Sequence, residues 1–570
     1  MLVALAILAV MAALTWRGID GMARAQQATG RHTDEVLTLQ AGLAQWRADL
    51  DAMMIWPTAT PAPTVTPGAT PAAAPTAPQR SLAWDGRVLR ITRTGADAAA
   101  GLRVVAWARR ADDGQWLRWQ SAPVQSLRAW QAAWDAAARW AEAGAAADPG
   151  NPNASVAAVA STLNWQLHYF RGNAWTNPCP APTPAPPRPA RRRAPAAGAG
   201  ARPGGDGSRL LGLGAARFRR QFMRPPRSPA AGAPPSEEAR IACRQSGAAL
   251  LMAMITVALV ATLAAGALWR QWRGVEVERA ERARAQSDWI LTGALDWGRL
   301  ILQGDLNEDS RKNQLVDDLT EPWAVPLAEA RLSTFLAAGE ASAAVDREAF
   351  VSGQISDLQA RLNVMNLVAG NGEQQLAALA RFTRLFEQLG LPSQELGGLQ
   401  RALARAQQAA AGTPADGADA PLLPARFEQL AWLGLAPRTL ALLRPYVTVL
   451  PLAGNQATPV NLNTAPAEVI YAAVPELDRA QAERLVALRT QNRLTTPGQA
   501  ATDLGVTMGQ LSLDWTSVNS SFFEIRGRLR LDDVALEEVA VVQRATDVRG
   551  RQVRTLWRAR SALTVPAAGQ

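Results

Sequence analysis

The chain is poor in the residues that most often carry chemistry. It has two cysteines, Cys179 and Cys243, two histidines, His32 and His168, and one lysine, Lys312. So few cysteines build no disulfide framework, and with two histidines at no metal-ligand spacing they form no zinc-type cluster. The sequence also has no histidine-paired nucleophile and no Gly-Lys-Ser/Thr phosphate turn, so no enzyme is expected. An excess of basic charge is absent from the stretches that could fold. Between Pro178 and Gly247, thirteen arginines face three acids, Asp206, Glu237 and Glu238, an excess equal to the whole formal net charge of +10. The rest is neutral, so the basicity is not a nucleic-acid footprint.

Long apolar runs are scarce as well, which makes the one that exists informative. No charged side chain occurs from Gly247 to Leu268. At ~1.5 Å per residue a run of about 20 residues spans a ~30 Å hydrocarbon core, so 247–268 is expected to be a transmembrane helix. A buried core helix would show a polar stripe, and this run is apolar all round. The stretch Met1–Thr15 is apolar but too short to span alone.

With 570 residues and ~100–200 per domain, two to four domains are expected. Residues 178–243, rich in Pro, Ala, Gly and Arg without apolar periodicity, are expected to be a disordered linker. On its N-terminal side, Met1 through Leu37, Leu39, Leu43 and Trp46 predicts one long helix, apolar first and amphipathic later. A Pro/Thr/Ala tract, 57–78, ends it. Arg87–Arg93 alternates as a strand, Leu102–Arg109 and Trp116–Trp119 predict a hairpin across Asp112-Asp-Gly114, and Trp165–Trp175 predicts a second.

Leu2–Ala9, Trp16-Arg-Gly-Ile-Asp-Gly-Met22, Trp84-Asp-Gly-Arg-Val-Leu-Arg90 and Phe170-Arg-Gly-Asn-Ala-Trp-Thr-Asn177 resemble J-type minor pseudopilins of bacterial type II secretion, over 1–177. Members of that family begin with a basic leader, a Gly-Phe-Thr-Leu cleavage region and a glutamate at the fifth mature position, just ahead of where this text starts. The linker stands where the family's last strands would be. A frameshift joining two neighbouring genes would produce both features, and resequencing the junction tests that.

The second half, from Arg244, opens with Arg-Gln-Ser-Gly before the apolar run, a prepilin-type leader in which arginines hold the start in the cytoplasm. Cleavage is expected between Gly247 and Ala248. A charged helical stem follows, with Glu276, Glu278, Arg279, Glu281, Arg282 and Arg284 spaced for i,i+3 and i,i+4 pairs. Helical text then runs to about Leu513, and three strand-like runs close the chain. Glu321-Pro-Trp-Ala324, Asp357-Leu-Gln-Ala-Arg-Leu-Asn363 with Asn366, and Val460-Asn-Leu-Asn-Thr-Ala-Pro466 resemble the K-type minor pseudopilin, over 244–565. The fold expected is α+β: two pilin-like units, each a long N-terminal helix on an antiparallel sheet. The expected bounds are a J-like unit at 1–177, the linker, a processing site with transmembrane helix and stem at 244–304, an all-helical insertion at 305–515, and C-terminal strands at 516–570.

The resemblance implies a tip subunit of a secretion pseudopilus that helps initiate assembly and export folded proteins. It implies a single-pass inner-membrane protein with its K-like domain in the periplasm. The implied partners are I-type and J-type minor pseudopilins, prepilin peptidase and the inner-membrane secretion platform. With Ala248 as first mature residue, the fifth is Met252, where ordinary subunits carry a glutamate to neutralise the amine of the subunit ahead. Such a chain can lead a filament but not be added beneath another subunit by that contact.

Two rival readings arise from the residues. Val460–Arg489 resembles a helix-hairpin-helix of DNA receptors, the basis of a membrane-anchored DNA-uptake alternative. Its hairpin, Pro475-Glu-Leu-Asp478, has two carboxylates and no glycine, so no nucleic acid is expected to bind. Asp305, Asn307 and Asp309 have the alternating spacing of a calcium loop but lack its sixth-position glycine and twelfth-position glutamate. A solvated turn is the plainer reading. No cofactor is required, and calcium, which the family resemblance implies, stays open. Topology adds a constraint. No third apolar run exists and the arginines favour a cytoplasmic linker, so the second half is correctly oriented only if the first half stays inside or is absent.

Overall fold

The computed structural model describes residues 2–54, 81–95, 97–144, 154–162, 167–171, 174–176, 246–312, 314–332, 349–411, 419–506, 514–531, 534–547 and 550–563. The Pro/Thr/Ala tract, both cysteines and the segment 178–243 lie outside them. Contacts divide the chain into two units, 1–212 with 295–570, and 213–294.

The first half is mixed. α1 (Leu2–Asp51) is one continuous helix. An antiparallel meander follows: β1 (Leu82–Trp84), β2 (Val88–Thr94), β3 (Leu102–Arg109), β4 (Gln115–Gln120) and β5 (Ser155–Ser161), in that spatial order. Leu39, Trp46 and Leu50 of α1 pack on the face carrying Leu89, Ile91, Val105 and Trp107. The β3–β4 turn is where it was expected, and it needs Gly114: φ is +69° and a Cβ would stand 2.8 Å from Thr162 O.

The opposite face is covered by α2 (Leu127–Glu142), which the reading of the sequence had missed. Leu127, Trp130, Ala133, Trp134, Ala137 and Trp140 are its buried side chains, at helical three-and-four spacing, and Ser126 caps its start. Asp49 staples helix to sheet. Fully buried, it meets Arg93, Arg118 Nε at 2.7 Å and Trp107 Nε1 at 2.9 Å. β6 (Tyr169–Arg171) and β7 (Ala174–Thr176) form the expected second hairpin.

α3 (Ser246–Lys312) opens the second half as a single 67-residue helix. It is the one helix among the described residues long and apolar enough to cross a membrane. Within 213–294 its apolar side chains stand free: Val257 is 68 %, Val260 64 % and Leu268 66 % exposed. The stem pairs as its spacing predicts, Arg279 with Glu276 at 2.9 Å and Arg282 with Glu278 at 2.6 Å.

From Leu295 onward α3 lies on a sheet, with Leu295 and Leu302 against Ile355, Phe523, Ile525 and Val542. That sheet has β8 (Leu327–Arg331) and β9 (Ala349–Asp357) at one side. Its other strands come from the end of the chain: β14 (Phe522–Leu531), β15 (Val534–Asp547) and β16 (Gly550–Leu563). The order is β16-β15-β14-β9-β8, and β14 lies between β15 and β9. The expected all-helical insertion over 305–515 is corrected at its start. Ala349, Val351, Ile355 and Asp357 are buried with mainly polar or half-buried residues between them, the two-residue period of a strand. Only the segment between β9 and β14 is inserted.

The insertion is a helical body with its own core. It runs through β10 (Leu362–Asn363), α4 (Gly372–Gln388), α5 (Ser393–Ala410), α6 (Pro437–Leu443) and β11 (Val447–Thr448). It continues through β12 (Val460–Asn461), α7 (Ala467–Ala473), α8 (Arg479–Gln491), α9 (Pro497–Leu504) and β13 (Thr516–Ser517). Phe382, Phe386, Leu403, Val469, Ile470 and Leu485 are among the residues of its buried cluster.

Candidate functional site

The polar residues of the sequence motifs converge, and what they build is a junction. Three joints meet there: the end of α3, the segment 317–321 leading toward β8, and the places where the inserted body leaves β9 and re-enters β14. A chain making those crossings leaves backbone groups without helix or strand partners, and each must find one when buried.

Asp357, at the end of β9, is buried and accepts on Oδ2 from Ser520 Oγ at 2.6 Å, Thr464 Oγ1 at 2.6 Å and Asn461 Nδ2 at 3.1 Å. Burial pushes its carboxyl above the usual range, and those donors work against the shift. Asn461 also donates to Asp317 O, and Gln359 accepts from Ser521 N at 2.6 Å. Asn363 bridges Leu450, donating to its carbonyl at 3.1 Å and accepting from its N–H at 3.0 Å. Asn366 does the same for Thr458, and Asn463 for Leu494. A side-chain amide suits this because it presents a donor and an acceptor like a strand neighbour.

Arg544 of β15 is the cation of the junction. Its Nη1 donates to Asp317 Oδ1 and its Nη2 to Asp305 Oδ2, each at 2.5 Å, and the guanidinium carbon lies 4.4 Å from the centre of the Phe523 ring. Burial raises Asp317 to about 6, against the opposing pull of Arg544. Burial, then repulsion from Asp305, raises Glu321 to about 8. Trp323 Nε1 donates to Glu321 Oε2 at 2.5 Å.

The expected calcium-loop residues are corrected. Asp305, Asn307 and Asp309 lie in α3, because no proline or other stop precedes Lys312. On a helix, residues i and i+4 share a face and i+2 points away, so the three do not surround one point. Asp305 meets Arg544, while exposed Asn307 accepts from Gln303 Nε2 at 3.1 Å. The turn reading fails for the same reason. Asp305, Asp317 and Glu321 do bring oxygens within 4.8 Å of one another, yet Arg544 already sits against two of the three. A calcium ion there would meet a fixed positive charge, so these residues do not fit one.

The hairpin between α7 and α8 is equally committed. Arg384 donates to Pro475 O and, at 2.7 Å, to Leu477 O, and Arg381 Nε donates to Ala473 O at 2.8 Å. The N–H groups of Val474 and Leu477 bond to Ile470 O and Val474 O, and that of Asp478 to Gln481 Oε1 at 2.8 Å. Backbone donors needed to hold a phosphate are used inside the protein. Gly247, Ala248 and Met252 lie in the first turns of α3.

One helix long and apolar enough to cross a membrane thus precedes a body whose polar motif residues are used in hydrogen bonds within the protein, the arrangement of a structural subunit. Two sequence models of the family "Type II secretion system (T2SS), protein K" match consecutive stretches, residues 360–452 and 460–514. The type II secretion system protein K of Pseudomonas aeruginosa is 26 % identical over 346 residues, 57 % of this chain and 96 % of that protein. A crystal structure of the GspK-GspI-GspJ complex from enterotoxigenic Escherichia coli also matches. There the identity is 15 %, the coverage 50 % of this chain and 98 % of that one, and the TM-score 0.36. Within the second half, residues 360–452 and 460–514 are thus similar to protein K of the type II secretion system. The DNA-binding alternative finds no support in these matches.

Proposed function

We propose that this chain serves as the minor pseudopilin at the tip of the type II secretion pseudopilus, where it helps to start assembly and to export folded proteins. The observation that carries this reading is the pair of protein K models over the inserted helical body, joined to a relative that this chain spans almost from end to end. In this reading 247–268 crosses the bacterial inner membrane once, prepilin peptidase cuts between Gly247 and Ala248, and the body from Leu295 stands in the periplasm. Met252 then occupies the fifth mature position. It offers no carboxylate to the amine of a subunit ahead, which suits a leading subunit. I-type and J-type minor pseudopilins and the inner-membrane platform are the proposed partners, and residues 1–177 are proposed to be J-like. The proposal needs no metal at the junction, where Arg544 supplies the positive charge.

Expression of residues 240–570 in a protein K-deficient secretion strain tests it. Restored export of the secreted proteins supports the reading. Export that stays absent while the fragment accumulates in the inner membrane contradicts it.

A further inference from the structure

Three carboxylates from two parts of the chain converge at the junction. Asp305 of α3, with Asp317 and Glu321 of the segment after it, bring oxygens within 4.8 Å of one another. Calcium holds its oxygen ligands at ~2.3–2.6 Å, so two ligands of a single ion stand no further than about 5 Å apart. The spacing is therefore that of one coordination shell. What meets these oxygens is the Arg544 guanidinium, which donates to Asp317 Oδ1 and Asp305 Oδ2, each at 2.5 Å. Arg544 Nε is buried without a hydrogen-bond partner among the described residues. Fork and cluster thus match only in part, and one strong donor is left over.

The balance of charge leans the same way. Asp309, one turn beyond Asp305, is buried, and its Oδ2 has no hydrogen-bond partner among the described residues. Asp318 is buried as well. From the rim, half-exposed Arg493 reaches Asp318 Oδ2 at 3.3 Å and Glu321 Oε1 at 3.9 Å. Among the described residues Asp305, Asp309, Asp317, Asp318 and Glu321 therefore outnumber the cations that pair with them, Arg544 and Arg493. A cavity of about 150 Å³ opens beside the guanidinium, lined by Asp317, Asn519, Ser520 and Arg551 among others. Its polar walls give water and small ions a way to the cluster.

We propose that Arg544 stands in for a divalent cation: the junction is a cation site whose occupant belongs to the chain, and removing that side chain turns Asp305, Asp317 and Glu321 into a site for calcium. The K-type resemblance implies calcium, and the disagreement with it is confined to one side chain. A guanidinium brings one positive charge where calcium brings two, but it is tethered and no chelator can withdraw it. It ties β15 to the end of α3 and to the segment leading toward β8 at any calcium concentration. With Arg544 gone, three carboxylates remain around a buried space, with water at hand to complete the shell. The claim concerns this cluster alone and holds whatever assembly the chain joins.

Terbium is the probe, because it takes the oxygen ligands of calcium and emits when a neighbouring tryptophan is excited. Trp323 is in place as the antenna, its Nε1 donating to Glu321 Oε2 at 2.5 Å. The full chain in detergent should show no sensitised emission that Asp317→Asn removes. In Arg544→Ser, emission should rise about tenfold and be displaced by calcium. Adding Asp317→Asn or Trp323→Phe to that variant should abolish the gain. Calcium at about 10 mM, above the ~10⁻⁴–10⁻³ M dissociation constants of extracellular calcium modules, should raise the unfolding midpoint of Arg544→Ser. It should leave the unsubstituted chain and Arg544→Lys, which keeps the charge, unchanged. Emission from the unsubstituted chain that Asp317→Asn removes would overturn the proposal. So would an Arg544→Ser chain that gains neither emission nor stability from calcium, whether or not it is folded without the ion.

Discussion

Arg544 illustrates how single side chains hold this chain together. Its side chain is 6 % exposed, and those of its partners Asp317 and Asp305 are 2 % and 13 % exposed. Removing one member of a buried pair leaves an uncompensated charge, so Arg544→Ala is expected to cost about 3–5 kcal/mol, read by denaturant unfolding. Asp49 plays the corresponding part in the first half, and Asp49→Ala should cost a similar amount. The junction also sets a pH dependence. Asp317 is raised from 3.8 to about 6 and Glu321 from 4.5 to about 8 in the folded chain. The folded state therefore holds more protons than the unfolded one inside those windows. The stability these groups contribute is complete below the lower values and falls as pH rises through the upper ones. Glu321→Gln should flatten the part of that fall above pH 6, measured as unfolding midpoint against pH. Calcium added to the full chain, or a chelator, should leave the midpoint unchanged; a rise with calcium would show that the ion displaces or sits beside Arg544.

Among the elements, α3 matters most and was also the most legible. A run without charge from Gly247 to Leu268 marks a helix long and apolar enough to cross a membrane, because length and composition suffice for that reading. Substituting both Val257 and Val260 by arginine should release the chain from carbonate-washed membranes, since each costs ~2.5–3.5 kcal/mol near the centre of a span. Where α3 meets its sheet, a Cβ on Gly298 would stand 2.7 Å from Ile525 Cγ2. Gly298→Val should therefore destabilise the body by about 1–3 kcal/mol through overpacking, read by thermal unfolding. The hairpin β3–β4 was legible because its turn is local. α2 was equally written in its Trp130, Trp134 and Trp140 spacing, behind the cap Ser126, and was overlooked among alanines. β9 and the helical placement of Asp305 were harder. Short alternation is weak beside long helices, and acids in sequence suggest a loop until the absence of a stop signal is weighed. The junction could not be read at all. Asp357 meets Ser520 across 163 residues and Arg544 meets Asp317 across 227, and spacing along a chain carries no information about such pairs.

For the molecule as a whole, the motif residues that resemble protein K prove to be those that join the sheet to the helical body. That explains why a structural family can be recognised by polar residues that touch no substrate. The inserted body is held at both its exits by Asp357, Asn461 and Ser520, so it is carried rigidly by the sheet on which α3 lies. This account turns on a processed amino end inside the membrane. Mass spectrometry of the membrane-bound product from cells with an active prepilin peptidase should find a chain beginning at Ala248. A second half recovered only with uncut sequence through Gly247 would contradict it.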